Sequence, residues 1–248
     1  MDAPALARLI RANQPCVALT GAGVSTESGI PDFRSPTGIW ADFDPAEYAS
    51  LPAFRADPVK VWRFYKPRIA MLTEAQPNAA HRALAALEKA GFVEAVVTQN
   101  IDLLHERAGS RNLVEVHGSI RTATCPSCGS SYPRAAVVAE LERADAPTCD
   151  SCGAILKPDV VFFGDNVPAP RVAEAFEALR ACDAMLVLGS SLTVMSGHRF
   201  VLRAARDGTP VAIVNQGATR GDRYASVTVD APLGTVLPAV AARVAGRS

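Results

Sequence analysis

Residues 16–34 read CVALTGAGVSTESGIPDFR, and this stretch decides the fold. Its first five residues, Cys16–Thr20, form a short apolar run that ends in Gly21-Ala-Gly23, the pattern of a buried strand opening into a glycine turn. Four later runs share that form: Val93–Val97, Leu113–Val116, Ala184–Leu188 and Pro210–Val214. Most of them are separated by segments with helical spacing. Asn78–Ala90 places Ala80, Leu84 and Leu87 on one face and stops at Gly91, and Ala169–Ala181 and Ser196–Asp207 are similar. Short apolar strands alternating with helices predict an α/β fold: a Rossmann-like parallel sheet with helices on both faces.

Two stretches break the alternation. Residues 32–76 are rich in Pro and aromatic residues, from Phe33 through Trp40 to Trp62 and Tyr65, and read as a loop-and-helix insertion. Residues 120–158 hold two Cys-x-x-Cys pairs, Cys125 with Cys128 and Cys149 with Cys152, around an expected helix at 135–143. Twenty residues separate the pairs, close to the spacing of a zinc ribbon. Each pair lies in turn-rich sequence, so two sulfurs from one loop can reach a common tetrahedral metal. Four thiolates leave no open position, which makes the expected zinc structural. Two disulfides are the rival reading, disfavoured in a reducing compartment. Cys16 and Cys182 adjoin apolar runs and read as buried thiols. The expected organisation is a main domain of residues 1–31, 77–119 and 159–248, and a small zinc-binding and helical domain of 32–76 and 120–158. A cleft is expected between them.

Composition narrows the partners. The chain has 248 residues, 25 basic and 25 acidic, with hydrophobic residues at 49%. That apolar content excludes a disordered chain, and the balanced charge gives no argument for nucleic acid or an anionic membrane. No apolar stretch has the length of a membrane span, and the first residues lack a signal pattern. The expected address is cytoplasmic and the expected state monomeric.

The polar residues that follow the strands carry the chemistry. Gly21-Ala-Gly23 follows the first strand, where glycines allow a backbone to approach a pyrophosphate. Taken alone it is equally a tight strand-to-helix turn, because Thr26 stands where the usual third glycine would be. Thr98–Asp102 follows the second strand, His117-Gly118 the third, Gly189-Ser-Ser191 and Asn215-Gln-Gly217 two later ones. Ligands of open parallel sheets bind at the carboxyl ends of the strands. Five such segments at one edge predict a single large polar site of nucleotide size.

The run Gly21-Ala-Gly-Val-Ser-Thr-Glu-Ser-Gly-Ile-Pro-Asp-Phe-Arg34, together with Thr98-Gln-Asn-Ile-Asp102, His117-Gly118, the two cysteine pairs and Gly189-Ser-Ser191, resembles the sirtuins, NAD-dependent protein-lysine deacylases. The resemblance runs in order from about residue 5 to residue 245. It implies that Gly21, Ala22, Gly23, Glu27, Phe33 and Arg34 line the NAD site, with the loop after Gly29 folding over the cofactor. Gln99 and Asn100 would contact the nicotinamide ribose, and Ile101 and Asp102 the carboxamide. Gly189, Ser190, Ser191, Asn215, Gln216 and Gly217 would hold the phosphates and the adenosine half, with Leu233 on the adenine side. His117 matches the general base, and Asn100 and Asp102 complete the catalytic set. Val161, Phe162, Phe163, Gly164 and Val194 would receive an acyl-lysine peptide by strand addition, which reads main chain rather than side chains.

The implied reaction consumes NAD. Nicotinamide leaves the ribose, the acyl-lysine oxygen takes its place, and His117 removes a proton from the ribose hydroxyls, a task suited to an imidazole. Acyl-ADP-ribose and free lysine result. Within the resemblance, Tyr65 and Arg68 match a Tyr-x-x-Arg that binds the carboxylate of succinyl or malonyl groups, although Pro67 falls between them. Desuccinylation or demalonylation is therefore one alternative, and ADP-ribosyl transfer or NAD hydrolysis from the same pocket another. A silent NAD sensor and a zinc-ribbon nucleic-acid module are the readings from other classes. A base has no use in the first, and the charge balance opposes the second. His81, His105 and His198, on expected helices, read as structural.

Overall fold

The computed structural model describes residues 3–246. In chain order the strands are β1 (Cys16–Thr20), β2 (Val93–Thr98), β3 (Leu113–Glu115), β4 (Gly118–Thr124), β5 (Ser131–Pro133), β6 (Lys157–Val160), β7 (Ala184–Leu188), β8 (Val211–Val214) and β9 (Val227–Val229). The helices are α1 (Ala3–Ala12), α2 (Ile39–Asp42), α3 (Pro45–Tyr48), α4 (Leu51–Ala56), α5 (Pro58–Glu74), α6 (Ala79–Lys89), α7 (Leu104–Ala108), α8 (Arg134–Leu141), α9 (Ala169–Arg180), α10 (Met195–Asp207) and α11 (Leu233–Val244). No described helix is long and apolar enough to cross a membrane.

Six strands form one sheet in the order β3-β2-β1-β7-β8-β9, with every neighbouring pair parallel. Strand periodicity sends alternate side chains to opposite faces. Ala18 and Leu186 join α1, α6 and α11 in one apolar cluster, while Val17, Leu19 and Val187 meet α9 and α10 in another. A parallel sheet buried on both faces is what continuous apolar runs require. Fully burying a Leu or Val side chain contributes about 1.5–3 kcal/mol, so these two layers supply much of the driving force for folding.

The insertions form a second module. β4, β5 and β6 pair antiparallel in the order β5-β4-β6. Trp62, fully buried on α5, packs with Phe54, Val137 and Leu156, and its indole N–H donates to the Leu156 carbonyl at 2.6 Å. That bond ties the helical insertion to the cysteine-bearing one. The chain enters and leaves the small sheet along strands: β4 spans the expected boundary at 119/120, and β6 spans the one at 158/159. Several elements lie outside the strand and helix pattern read from the sequence, among them α1, β4 and β5; two more complete the main sheet and its cover. β9 is a three-residue edge strand beside β8, and α11 closes the face shared with α1 and α6.

Strand order places the site. From β1 the chain runs outward to β2 and β3, then returns through the small module to β7 on the other side of β1. Loops leaving β1 and β7 therefore diverge, and the crevice between them is the ligand position of such sheets. The loops are in contact there. The Gly21 N–H donates to the Leu188 carbonyl at 3.1 Å, and the Gly23 N–H to the Gly189 carbonyl at 2.9 Å. A Cβ at Gly23 would lie 2.9 Å from the Gly189 backbone. Residue 23 is glycine because no side chain fits between the turns.

Candidate active site

A cavity of about 550 Å³ opens at this crevice, between the parallel sheet and the small module. That volume lies within the range of small-molecule and cofactor sites. Its wall gathers nearly all the residues singled out in the sequence. Gly21, Ala22 and Gly23 come from the β1 turn, Phe33 and Arg34 from the following loop, and Gln99, Asn100, Ile101 and Asp102 from the end of β2. Gly189, Ser190 and Ser191 follow β7, Asn215 and Gln216 follow β8, and Leu233 opens α11. His117, Tyr65, Arg68, Val161, Phe162, Phe163, Gly164 and Val194 complete the lining.

Two residues stand apart. Glu27 does not line the cavity; its Oε1 accepts the Gly234 N–H at 2.8 Å, at the start of α11. There the carboxylate meets unpaired helix donors and the positive end of the helix dipole. Gly217 also lies outside the lining, its N–H donated to Asp230 at 3.2 Å. The expected strand addition is narrowed as well. At Phe163 the N–H donates to the Ala49 carbonyl and the C=O accepts from Leu51, while the Val161 N–H is taken by the His117 carbonyl. The two N–H groups are committed within the chain, while the Phe163 carbonyl keeps a second lone pair.

A largely buried polar cluster forms part of the cavity floor. Asn100 Nδ2 donates to the Gly21 carbonyl at 3.1 Å and to Ser25 Oγ at 3.2 Å. Ser25 Oγ in turn donates to Asp102 Oδ2 at 2.7 Å, and Asp102 Oδ1 accepts the Leu104 N–H at 2.9 Å. Burial pushes the Asp102 carboxyl above its usual range, opposed by the Leu104 and Ser25 hydrogen bonds. The next residue, Leu103, has φ of 66°, a left-handed conformation that costs a non-glycine residue roughly 1–3 kcal/mol and is typical of functional sites.

The histidines read as structural extend this cluster. His81 Nδ1 accepts the Asn78 N–H at 3.3 Å, so its Nε2–H faces Ser25 Oγ at 3.5 Å. His105 Nε2 meets Thr20 Oγ1 at 2.9 Å, and the two imidazoles pack at a tilt of 59° with centroids 4.8 Å apart. Burial depresses His81 to about 4 and His105 to about 3. Above the ordinary value near 6.5 both rings are neutral folded or unfolded, and nothing is lost. As pH falls from there toward 4 and then 3, the unfolded chain takes up protons that the native state refuses, and stability drops. We expect a loss on the order of several kcal/mol from the pair. The urea midpoint should fall between about pH 7 and pH 4.5, and fall less in His105→Gln. Equal slopes in the two proteins would contradict this assignment.

His117 stands where the two modules meet, one residue before β4. Its Nδ1 lies 2.9 Å from the Gln99 carbonyl. A carbonyl only accepts, so Nδ1 carries the proton and Nε2 keeps its lone pair. Burial, the largest influence, holds this imidazole below its ordinary value; the Gln99 bond works against that, and Arg199 and Arg34 reinforce it. The ring is thus a neutral base aligned by a backbone group. In the same cavity Phe33, Trp40 and Phe64 form an aromatic wall, with Phe33 and Trp40 stacked at 5.3 Å and Trp40 and Phe64 at 6.0 Å. Tyr65 and Arg68 share a face of α5 despite Pro67, and both reach the cavity. The Arg68 guanidinium lies 3.5 Å over the Phe64 ring and 4.7 Å over Phe43.

The four cysteines converge at the far end of the small module. All four Sγ atoms lie within 4.8 Å of one another, with Cys125–Cys152 and Cys128–Cys149 at 3.5 Å and Cys128–Cys152 at 3.7 Å. A tetrahedron with Zn–S of 2.3 Å has sulfurs about 3.8 Å apart, so the set fits zinc and no disulfide joins its members. The Tyr132 hydroxyl donates to Cys149 Sγ at 3.3 Å and draws that thiol down, while the neighbouring sulfurs push Cys152 up.

Ser25 and Ser196 line the cavity although the sequence did not single them out. Ser25 sits inside the quoted glycine run. Ser196 carries no motif of its own.

Comparison with known proteins agrees with this geometry. The sequence model of the Sir2 family matches residues 21–196. An NAD-dependent protein deacetylase of Sulfolobus acidocaldarius is 44% identical over 240 residues, covering 96% of this chain and 94% of the relative. Another, from Chromobacterium violaceum, is 44% identical over 232 residues, covering 92% and 93%. A solved complex described as Sir2–p53 peptide–NAD+ superposes with a TM-score of 0.90 at 37% identity, covering all of both chains. With the matched stretch running from the β1 turn through His117 and the cysteine cluster to the start of α10, the chain belongs to the Sir2 family.

Proposed function

We propose that this protein is an NAD-dependent protein-lysine deacetylase that moves the acetyl group of acetyl-lysine to ADP-ribose and releases nicotinamide. The observation that carries this reading is the neutral, Nδ1-protonated His117 beside Gln99–Asp102 in the sheet crevice. Bound NAD supplies a ribose carbon from which nicotinamide can depart. The chain's own residues do the rest. Loops from β1, β7 and β8 offer main-chain and hydroxyl groups to a dinucleotide, the buried Asn100–Ser25–Asp102 cluster fixes the floor, and the aromatic wall excludes water. His117 Nε2 accepts the proton a ribose hydroxyl must lose. Zinc, held by Cys125, Cys128, Cys149 and Cys152, supports the small module and takes no chemical part. The substrate is acyl-lysine protein or peptide, and the proposed working form is a cytoplasmic monomer. A panel of acyl-lysine peptides incubated with NAD and read by mass spectrometry tests the reading. Acetyl-ADP-ribose and nicotinamide in equal amounts support it. Nicotinamide released at the same rate without peptide would assign NAD hydrolysis instead.

Arg68 bears on which acyl groups enter. Its Nε is buried without a hydrogen-bond partner, and its guanidinium lies beside Tyr65 at the cavity. Its Nη1 donates to the Phe64 carbonyl at 2.5 Å, which leaves the remaining donors to take an acyl carboxylate. A bond of this kind contributes roughly 1.5–3 kcal/mol. Arg68→Met is therefore expected to lower turnover of a succinyl-lysine peptide about 10- to 100-fold and of the acetyl peptide much less. Equal losses on the two peptides would leave Arg68 with a packing role between Phe43 and Phe64.

A further inference from the structure

The lone-pair nitrogen of His117 already has a partner. Nε2 lies 2.7 Å from the hydroxyl of Ser196. Because Nδ1–H is committed to the Gln99 carbonyl, the contact has one polarity in the neutral ring: Ser196 donates and Nε2 accepts. Ser196 is the second residue of α10, and the start of that helix has no side-chain cap bond that would require a hydroxyl. The residue after it explains how the hydroxyl arrives. A Cβ at Gly197 would stand 2.6 Å from Gln99 Oε1 and 2.8 Å from Gln99 Cδ. The Gln99 amide is not free to swing aside, since it donates to Ser190 Oγ at 2.8 Å and to the Thr20 carbonyl at 3.3 Å. Only glycine lets α10 press against the residue that orients His117. Ser196 and Gly197 thus work as a unit, one permitting the approach and the other using it. Both Ser196 and His117 line the cavity.

A hydroxyl that donates one hydrogen bond can still accept through its lone pairs. We propose that Ser196 is the proton relay between the substrate and His117. The inference rests on the deacetylase reading above. In the step it describes, the O–H bond of a ribose hydroxyl breaks and its proton bonds to Ser196 Oγ. The proton originally on Ser196 passes to His117 Nε2. The ribose oxygen keeps the electron pair with which it attacks the acyl carbon. One proton has moved from sugar to imidazole, the serine is again neutral, and the imidazolium still donates Nδ1–H to Gln99. Burial and the neighbouring Arg199 and Arg34 disfavour that cation, so it returns its proton to the departing lysine amine.

Two measurements test this. In the ligand-free protein, nitrogen NMR of the imidazole should show a protonated Nδ1 and an Nε2 displaced by an accepted hydrogen bond. Ser196→Ala should move Nε2 toward the position of a free pyridine-type nitrogen, and Ser196→Thr should restore it. With NAD and acetyl-lysine peptide, departure of nicotinamide needs no base, whereas completing acetyl transfer does. Ser196→Ala should therefore slow acetyl transfer about tenfold or more, a part of what general base catalysis contributes. The ratio of labelled-nicotinamide exchange to acetyl transfer should rise by a similar factor, and Ser196→Thr should recover it. A variant that is merely misfolded loses both activities together. Unchanged transfer in Ser196→Ala, equal losses in exchange and transfer, or an unmoved Nε2 would overturn the relay. Wild-type protein that makes no acetyl-ADP-ribose would overturn the deacetylase reading beneath it.

Discussion

Replacing His117 with alanine should reduce NAD-dependent deacetylation by about 10²- to 10⁴-fold, the range over which a positioned general base acts. The size of the effect follows from how much is invested in this one ring. Gln99 fixes its tautomer at 2.9 Å, Ser196 meets its other nitrogen at 2.7 Å, and burial keeps it neutral. No other histidine lines the cavity, and His198 on α10 stays outside it. His81 and His105 are sealed beneath the cavity, and both are engaged with Ser25 and Thr20. Binding of NAD should survive, because the β1 and β7 turns meet through Gly23 and Gly189 without help from His117. Calorimetry should accordingly give a dissociation constant for NAD close to that of the wild type, alongside the collapse in kcat. Activity retained within tenfold would remove His117 from the role of base.

Removing the metal should be the second large perturbation. Structural zinc contributes on the order of 10 kcal/mol to the small domains it organises, and here it would join loops on either side of α8. The consequence reaches the active site along the chain. His117 is followed directly by β4, which runs from Gly118 to Thr124 and delivers Cys125 to the cluster. Gly118 has φ of 77°, and a Cβ there would collide with the Asp159 carbonyl on β6. The position of His117 therefore depends on the β4–β6 pairing that the metal holds at its other end. Chelation, or Cys125→Ser, should melt the small sheet at a temperature below the parallel sheet and lower activity by at least about tenfold, the scale on which lost metal-site support is felt. Zinc restored to the chelated protein should recover both. Full activity with metal content at background would show that the small module holds itself.

Much of this was legible from residue order. β1, β7 and β8 announce themselves because a strand buried on both faces must be apolar throughout; β2 and the edge strand β3 carry Glu94 and Glu115, and β3 is visible because Val116 extends its apolar run. The polar residues after each of them then converge, because parallel strands present the same ends to one edge. β9 escaped because Val227-Thr-Val229 is an edge strand of three residues with only Val229 fully buried. The orientation of Glu27 escaped for a different reason: its partner is Gly234, and the α11 donors it satisfies are visible only once the chain has folded. Ser196 is the clearest case. It lies 79 residues from His117, on a helix whose sequence shows nothing but amphipathic spacing, and its contact depends on a missing side chain at Gly197. Close approach of backbone to side chain leaves no periodic trace.

The central claim is that the sheet crevice holds NAD with its ribose at the His117–Ser196 pair. A crystal structure of the protein with NAD and an acetyl-lysine peptide measures this directly. The expected result is a ribose hydroxyl within hydrogen-bond reach of Ser196 Oγ or His117 Nε2, with the pyrophosphate between the β1 and β7 turns. A dinucleotide bound elsewhere, or one whose ribose faces away from His117, would contradict the account.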